Sequence, residues 1–476
     1  MIHMNSLHHL FLLGFRKSST FKNLTISCHL NHSLAFFSAS SDAQTPPLPQ
    51  SAQDIAKWAA TQSSNCTTLR DLNQIYAHII CSDLLHFYSA PFHWNNIIRS
   101  YTRLDAPVKA LQVYISMSRA GVLPDSYTLP IVLKAACQIF SIEIGKQLQS
   151  VAIRLGLESN EYCESGFISF YSKSGDIKNA YKMFEENPER KLGSWNAIIG
   201  GLSQGGHAKE AIEIFIEMRK CGFVPDDVTM VSVISACGSL GDLNLAIQLH
   251  KYVFHANVFG RTNILVMNSL IDMYGKCGRM DLARRVFCTM GEKNVSSWTS
   301  MIVGYGMHGH VNEAIEYFHC MREAGVRPNH VTFIGVLSVC VHGGKVQEGK
   351  QFFEMMKNVY GITPLMQHYG CMVDLLGRVG LLEEARETVE GMPMKPNVVI
   401  WGCLMGACEK YGDVKMGEWV AKHLYELEPW NDGVFVVLSN IYASKGLWQD
   451  VERVRVGMKQ QRLAKIPAYS VATSSN

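Results

Sequence analysis

The sequence lacks several features that would place it in a common class of protein. No apolar run approaches the roughly 18 residues that a membrane-spanning helix needs, and the stretch Leu10–Phe15 is far too short. None of the 14 cysteines stands in C-x-x-C spacing, and a chain of 476 residues needs no disulfide framework, so we expect reduced, mostly buried thiols. The net charge is only +3, which argues against a large nonspecific surface for polyanions.

Acidic residues are absent from the first 41 residues, which carry Arg16, Lys17, Lys22 and many serines. This composition is typical of an organellar transit peptide, so residues 1–41 are excluded from the predicted fold. The membrane potential draws positively charged, acid-free presequences into the mitochondrial matrix. We therefore expect a mitochondrial location, and a plastid is less favoured.

Catalytic signatures are also missing or out of context. A zinc deaminase needs H-x-E and P-C-x-x-C motifs, but no histidine here is followed two places later by glutamate. The segments G-Y-G-M-H-G (304–309) and G-L-S-Q-G (201–205) match a dinucleotide fingerprint and a nucleophile elbow, yet both follow helical patterns and not strands. We interpret both as turns between helices, and we predict no catalytic residue, metal, cofactor or small-molecule substrate.

What the sequence does contain is a long internal repeat. Tryptophans at Trp94, Trp195, Trp298 and Trp401 are separated by 101, 103 and 103 residues. Trp94, Trp195 and Trp298 stand at a fixed place beside apolar residues, so we expect these three rings in the core and not stacked on nucleic-acid bases. Three further short motifs recur with this period. The first begins at Pro124, Pro225 and Pro328, the second at Ala136, Ala236 and Val339, and the third at Ser169, Asp272 and Asp374.

Each period divides into three shorter repeats, and each of these is predicted to be a helix–turn–helix. In one of them helix A is expected over about Trp195–Ser203, ended by Gly205-Gly206, and helix B places an apolar stripe at Ala211, Ile214, Phe215 and Met218. One hairpin cannot bury that stripe alone, so the sequence predicts an all-α solenoid of stacked hairpins. The repeats are predicted at 91–125, 126–160, 161–191, 192–226, 227–263, 264–294, 295–329, 330–365 and 366–397.

These alternating lengths and motifs resemble the pentatricopeptide repeat family, in particular its plant class with mixed P, L and S repeats and a C-terminal E region. The resemblance implies a right-handed superhelix, a degenerate repeat or cap at 42–90, E-type motifs at 398–470 and a tail at 471–476. An S repeat is missing before Phe92, and no deaminase domain follows. The segments that carry the resemblance are W-N-A-I-I-G-G (195–201), E-A-I-E-I-F-I-E-M (210–218), G-F-V-P-D (222–226), H-Y-G-C-M-V-D-L-L-G-R-V-G (368–380), W-G-C-L-M-G-A-C (401–408) and V-L-S-N-I-Y-A-S-K-G (437–446).

The resemblance further implies that the fifth and last residues of a repeat read one base of single-stranded RNA. A terminal Asp can only accept a hydrogen bond, which suits uracil or guanine, whereas a terminal Asn can donate to cytosine or adenine. No base is assigned to Ser165 with Lys191, and the fifth residues Pro130, Val231 and Ile334 cannot form such bonds. The implied pairs are Asn95 with Asp125 for U, Asn196 with Asp226 for U, Asn268 with Asn294 for C, and Thr299 with Asn329 for A.

A purely structural interpretation of these residues remains open, because Asn or Asp before a helix is often only an N-cap. The favoured function is site recognition for C-to-U editing of a mitochondrial transcript, with a deaminase-bearing protein recruited in trans through 398–470. One alternative is an organellar RNA stabilisation, splicing or translation factor. A protein-binding scaffold of tetratricopeptide type is disfavoured, because such arrays keep a constant period of about 34 residues.

Overall fold

The computed structural model describes residues 52–81, 90–187, 190–255 and 263–460, and these ranges contain 24 helices and no strand. The chain divides into two compact units, residues 1–236 and 237–476. In chain order the first helices are α1 Ala52–Asn65, α2 Leu69–Cys81, α3 Pro91–Arg103, α4 Pro107–Arg119, α5 Thr128–Gln138, α6 Ile142–Arg154, α7 Glu161–Lys173, α8 Ile177–Glu186, α9 Leu192–Gln204, α10 Ala208–Lys220 and α11 Asp227–Leu240.

The remaining helices follow in chain order. They are α12 Leu243–His255, α13 Ile264–Lys276, α14 Met280–Thr289, α15 Val295–Met307, α16 Val311–Glu323, α17 His330–Gly343, α18 Val346–Asn358, α19 Met366–Val379, α20 Leu382–Glu390, α21 Val398–Tyr411, α22 Val414–Leu427, α23 Asp432–Ser444 and α24 Trp448–Gln460. No helix within the described ranges is both long and apolar enough to span a bilayer.

The hairpin α9–α10 illustrates why these residues form helix pairs. Helix α9 begins three residues before the predicted start and ends one residue later, at Gln204. Gly206 follows with φ of 81°, a left-handed conformation that disfavours any residue with a Cβ. All four predicted stripe residues of α10 are buried, so the sequence-based helix B is confirmed.

Neighbouring hairpins pack tightly enough to need small residues at their contacts. A Cβ added to Gly201 of α9 would lie 2.3 Å from Cβ of Ser172 in α7. Within each compact unit, helix A of one repeat contacts helix A of the next, and helix B lies against its own helix A. The predicted all-α solenoid of helix–turn–helix repeats is therefore confirmed.

The two rejected catalytic motifs lie at the end of helix A and reach only partly into the turn that was expected there. Residues 201–204 and 304–307 form the last turns of α9 and α15, and the residues after them make the turn into helix B. Trp94, Trp195, Trp298 and Trp401 are all buried, so they belong to the core.

The first two described helices lie within the segment 42–90, which was predicted as a degenerate repeat or cap. The segment 67–80 forms most of α2, and α1 precedes it. Helix α1 also contacts α3. The sequence A-Q-D-I-A-K-W-A-A-T-Q-S-S-N of α1 lacks the repeat's markers, so no helix bounds were predicted for it. The predicted transit peptide and tail lie outside the described residues.

The cysteines are less buried than expected. All 13 described cysteines are free thiols, but only Cys66, Cys163, Cys237, Cys340 and Cys408 are fully buried. Three others, Cys81, Cys221 and Cys288, are exposed, and they lie at or next to the C-terminal ends of α2, α10 and α14. The prediction of mostly buried thiols is therefore wrong for these residues.

Candidate nucleic-acid interface

Three of the four predicted pairs are in direct contact, although about thirty residues separate their members along the chain. The fifth residue lies in the second turn of helix A. The last residue immediately precedes the next helix A, except that two residues separate Asp125 from α5. Asn95 Nδ2 donates to Asp125 Oδ1 at 3.2 Å. Asn196 Nδ2 donates to both carboxylate oxygens of Asp226 at 3.1 Å. Asn268 Nδ2 donates to Asn294 Oδ1 at 3.1 Å.

The fourth pair is joined through an intermediate hydroxyl group. Thr299 Oγ1 lies 2.9 Å from Thr332 Oγ1, and Thr332 Oγ1 donates to Asn329 Oδ1 at 3.1 Å. Thr299 is too short to reach Asn329 as an asparagine would. The pair therefore shares the location of the others but not their direct hydrogen bond.

The last residues Asp226, Asn294 and Asn329 also cap the start of the following helix, whereas two residues separate Asp125 from α5. In all four, Oδ1 accepts the backbone N–H of the residue three places later, which satisfies a donor that the helix leaves free. For Asn294 and Asn329 the third residue also returns a bond to the cap's backbone, forming a capping box. The four N–H···Oδ1 distances are 2.8 Å for Thr128 to Asp125, 2.8 Å for Thr229 to Asp226, 3.1 Å for Ser297 to Asn294 and 3.0 Å for Thr332 to Asn329.

Capping does not use the whole side chain, so the capping interpretation and the base-reading interpretation are compatible. In Asn294 and Asn329 the cap consumes Oδ1, and Nδ2 has no hydrogen-bond partner within the described part of the chain. Both residues are exposed. The cap therefore fixes the amide so that a donor points away from the helix, whereas Asp125 keeps Oδ2 as an acceptor without a partner in the same ranges.

The electrostatics of Asp125 favour the ionised, accepting form. Burial raises the pKa of the Asp125 carboxyl, but hydrogen bonds from Thr128, Asn95 and the Tyr127 N–H outweigh burial and lower the pKa below its ordinary value. The group is therefore a carboxylate at neutral pH, and it can only accept a hydrogen bond from a ligand.

The side-chain amides of the fifth-position asparagines differ in whether their Oδ1 atoms accept a hydrogen bond. Thr229 Oγ1 donates to Asn196 Oδ1 at 2.5 Å, and Ser297 Oγ donates to Asn268 Oδ1 at 2.7 Å. Asn95 Oδ1 is buried and accepts no hydrogen bond from any described residue. An unpaired buried acceptor costs free energy, and a ligand donor or an ordered water could remove that cost.

Repeats without an assigned base have no comparable pair. Ser165 Oγ donates to the carbonyl of Glu161 at 2.7 Å, and Lys191 forms an ion pair with the Glu161 carboxylate at 3.6 Å. The fifth residues of the L-type repeats are only partly buried and offer no side-chain hydrogen bond; they are Pro130, Val231 and Ile334.

A hydroxyl residue completes each of the four sites, and it was not predicted from the sequence. Each of these four last residues is followed three places later by Ser or Thr, whose hydroxyl oxygen lies 2.8–3.1 Å from its Oδ1. The sequence signal was available as a D/N-x-x-S/T capping pattern at the start of helix A. The residues concerned are Thr128, Thr229, Ser297 and Thr332.

Comparison with known proteins identifies the family. The model of the PPR repeat family matches residues 91–138, 190–239 and 293–342, and that of the single PPR repeat matches 165–186, 266–295, 331–359 and 368–395. An E motif matches residues 411–472. A pentatricopeptide repeat-containing protein of Arabidopsis thaliana, whose name describes it as mitochondrial, is 57% identical over 453 residues, 95% of this chain and 96% of that protein. This chain belongs to the pentatricopeptide repeat family.

Other pentatricopeptide repeat proteins extend the comparison. A chloroplastic one of Arabidopsis thaliana is 40% identical over 355 residues, which are 74% of this chain but only 48% of that protein. The crystal structure of maize PPR10 has a TM-score of 0.54 at 17% identity, covering 86% of this chain and 65% of that one. PPR10 in complex with an 18-nucleotide psaJ RNA element has a TM-score of 0.51 at 16% identity, covering 90% and 71%. At these identities the likeness establishes a shared fold.

Proposed function

We propose that this chain binds single-stranded RNA sequence-specifically and acts as a site-recognition factor for C-to-U editing of a mitochondrial transcript. The observation that carries the proposal is the recurrence of one arrangement four times. A fifth residue and a last residue come together beside a capped helix, and the last residue keeps one polar atom directed away from the cap in at least three of the four repeats. A purely structural cap would not require a matched fifth residue.

The chemistry of that free atom supports discrimination between bases. Asp125 offers a carboxylate oxygen and suits a base with an N–H on its pairing edge, such as uracil or guanine. Asn294 and Asn329 offer an amide N–H and suit a base with a bare ring nitrogen, such as cytosine or adenine. Related PPR10 forms a complex with an RNA element, which is consistent with RNA as the ligand class.

The order of repeats gives an order of bases. If repeats run from N to C terminus along RNA from 5′ to 3′, Asn95 with Asp125 reads U, followed by two unassigned places. Asn196 with Asp226 reads a second U, one unassigned place follows, and the pair ending at Asn294 reads C. The pair ending at Asn329 then reads A. Two further repeats, 330–365 and 366–397, precede the edited cytidine.

The proposed editing role is based on the C-terminal region. The proposed mitochondrial location is based on the relatives and on the N-terminal segment. The E motif at 411–472 supports a surface that recruits a deaminase-bearing protein in trans, because this chain offers no zinc-deaminase motif of its own. The relative at 57% identity is named as mitochondrial, while others are chloroplastic. Together with the acid-free N-terminus, this favours the mitochondrion.

Sequencing of organellar RNA from a loss-of-function line tests this proposal. We expect one mitochondrial cytidine, or very few, to remain unedited, downstream of a sequence that fits the spaced pattern of U, U, C and A. Normal editing with altered transcript abundance or splicing would replace editing by another RNA-processing role. Normal RNA throughout would favour a protein-binding scaffold.

A further inference from the structure

The hydroxyl residue at the third place of a repeat contacts both candidate reading residues of the repeat before it. The Thr229 hydroxyl lies 2.8 Å from Asp226 Oδ1 but only 2.5 Å from Asn196 Oδ1, so its single hydrogen is donated to Asn196. Asn196 Nδ2 donates to Asp226, and Asp226 Oδ1 accepts the Thr229 N–H at 2.8 Å. The three residues thus form a closed ring of hydrogen bonds that includes a fully buried threonine.

A second ring of the same kind lies in the other compact unit. The Ser297 hydroxyl lies 2.7 Å from Asn268 Oδ1, and Asn268 Nδ2 donates to Asn294 Oδ1 at 3.1 Å. Asn294 Oδ1 also accepts the Ser297 N–H. In the next repeat the Thr332 hydroxyl lies 2.9 Å from that of the fifth residue, Thr299. Three of the four candidate pairs therefore have a third-place hydroxyl in contact with the fifth residue.

Helix capping alone does not require these hydroxyl groups. Three other asparagines end a repeat and cap the next helix through Oδ1, and they are Asn160, Asn263 and Asn397. The third places after them carry no hydroxyl, and the residues there are Cys163, Val266 and Ile400. The fifth residues of the same three repeats have no side-chain acceptor, and they are Pro130, Val231 and Gly370. The hydroxyl is therefore lacking where the fifth residue has nothing for it to bind.

The first candidate pair has the bonds to the last residue without the bond to the fifth. The Thr128 N–H and hydroxyl both lie 2.8 Å from Asp125 Oδ1, as those of Thr229 do from Asp226 Oδ1. Asn95 Oδ1, however, is buried and accepts no hydrogen bond from any described residue. Thr128 is the first residue of α5, whereas Thr229 is the third residue of α11, so the two hydroxyls start from different points of the helix.

We propose that the hydroxyls of Thr229 and Ser297 are positioning groups for base recognition, each serving the pair of the preceding repeat. This inference rests on the proposed RNA binding. A carboxylate as last residue suits both U and G, since each offers it an N–H, so the fifth residue has to tell them apart. The hydroxyl holds the fifth-position amide by its oxygen, and the Nδ2 hydrogens therefore keep one direction.

Thr229→Val is the variant that tests this role, because valine keeps the branched shape and removes only the hydroxyl. It leaves Asn196 Oδ1 without a donor, and an acceptor released in this way suits the additional N–H groups of guanine. Thr128→Val is the matched control, since it removes the same bonds to a last residue but none to a fifth residue. Both variants should lower the melting temperature, whereas only Thr229→Val should change base preference.

The probes are synthetic single-stranded RNAs with the proposed order of bases, which differ only at one assigned nucleotide. Fluorescence anisotropy with the full-length chain gives the ratio of the dissociation constants for G and U, which a uniform loss of folded protein does not alter. At the nucleotide assigned to Asn196, this ratio should fall about fivefold in Thr229→Val. Thr229→Ser should restore it, because it keeps a hydroxyl. Thr128→Val should leave the ratio at the nucleotide assigned to Asn95 unchanged.

The outcomes separate this inference from the proposed function. Wild type that binds none of these RNAs, or shows no preference for U at this nucleotide, contradicts the proposed function. Wild type that prefers U, with the same ratio in Thr229→Val, contradicts only the inference. An equal fall in Thr128→Val also contradicts it, because the effect would then come from the bond to the last residue. Ser297→Ala repeats the test in the second ring, where preference for C over A should fall, and decides it if Thr229→Val does not fold.

Discussion

At the scale of single residues, one side chain serves both folding and the proposed recognition. The Oδ1 of Asn329 is committed to the start of α17, so the amide cannot flip without losing the cap. Nδ2 is consequently held outward as a donor. In Asp125 the same commitment leaves a second carboxylate oxygen as an acceptor. The cap thus converts the difference between Asn and Asp into a difference between donor and acceptor at a fixed place.

We predict that Asn329→Asp changes base preference without weakening the fold. Asp caps a helix about as well as Asn, so the melting temperature should be nearly unchanged. The outward donor becomes an acceptor, and preference at the corresponding base should move from A towards G by about 1–3 kcal/mol. Binding to RNAs that differ only at this nucleotide is the measurement.

Asn397 provides a matched control for that swap. Its Oδ1 accepts the Ile400 N–H at 3.1 Å, so it caps α21 as Asn329 caps α17. The fifth residue of its repeat is Gly370, which offers no side chain to a base. Asn397→Asp should leave base preference unchanged. If Asn329→Asp instead weakens binding to all RNAs equally, Asn329 is only a cap.

At the scale of helices and hairpins, the ends of helix A are satisfied by the following repeat. Gln138 Nε2 donates to the carbonyl of Thr102 at 3.1 Å, and Lys410 Nζ donates to that of Arg378 at 2.8 Å. His308 Nε2 lies 2.6 Å from the carbonyl of Gly275. The last carbonyls of a helix have no partner within it, so these contacts join successive hairpins at a place where a bond is needed.

Ala211→Pro should destabilise the array only through its effect on the packing of the stacked hairpins. The Ala211 N–H donates to the His207 carbonyl at 3.0 Å, and the side chain is fully buried. Proline removes that bond and clashes with the preceding turn, which costs about 3 kcal/mol or more. Circular dichroism should show an earlier melt or lower helicity.

The control for Ala211→Pro is Ala208→Pro, three residues upstream at the first position of α10. Proline occupies that position in α3 and α4, as Pro91 and Pro107. The first N–H of a helix has no partner within the helix, so the substitution should cost much less. Equal damage by both prolines, or an unchanged melt for Ala211→Pro, would contradict the placement of α10.

Two helical glycines should respond oppositely to alanine. A Cβ at Gly306 would lie 2.4 Å from Val339 Cγ2, where α15 meets α17, whereas a Cβ at Gly406 of α21 would meet nothing within 4 Å. We expect Gly306→Ala to destabilise by about 1–3 kcal/mol through overpacking, and Gly406→Ala to stabilise by about 0.5–1 kcal/mol through helix propensity. Denaturant melts of both variants measure this, and changes of the same sign would count against the described packing.

At the scale of the whole chain, import is the prediction that depends on sequence alone. A fluorescent protein fused to residues 1–60 should enter mitochondria, because the segment before Asp42 is basic and free of acid. Replacing Arg16, Lys17 and Lys22 by glutamine should reduce import. Fluorescence in the cytosol, or only in plastids, with the unchanged segment would contradict the assignment.

Much of this protein could be derived from its sequence because its determinants are local and periodic. Glycine and proline set where helices end, the apolar stripe at Ala211, Ile214, Phe215 and Met218 sets which face is buried, and the recurring tryptophans set the period. The candidate reading residues came from the resemblance to the pentatricopeptide repeat family, applied to these repeats. For α1, which lacks the repeat's markers, the sequence predicted only a degenerate repeat or cap over 42–90 and no helix bounds.

Tertiary structure decided what depends on atoms from different repeats. Whether Asn95 reaches Asp125 directly, while Thr299 needs Thr332 to reach Asn329, depends on distances of about 3 Å between residues far apart in the chain. Sequence periodicity determines which positions correspond. Hydrogen bonds and cavities depend on how far each side chain reaches across the contact between repeats, and packing alone decides that.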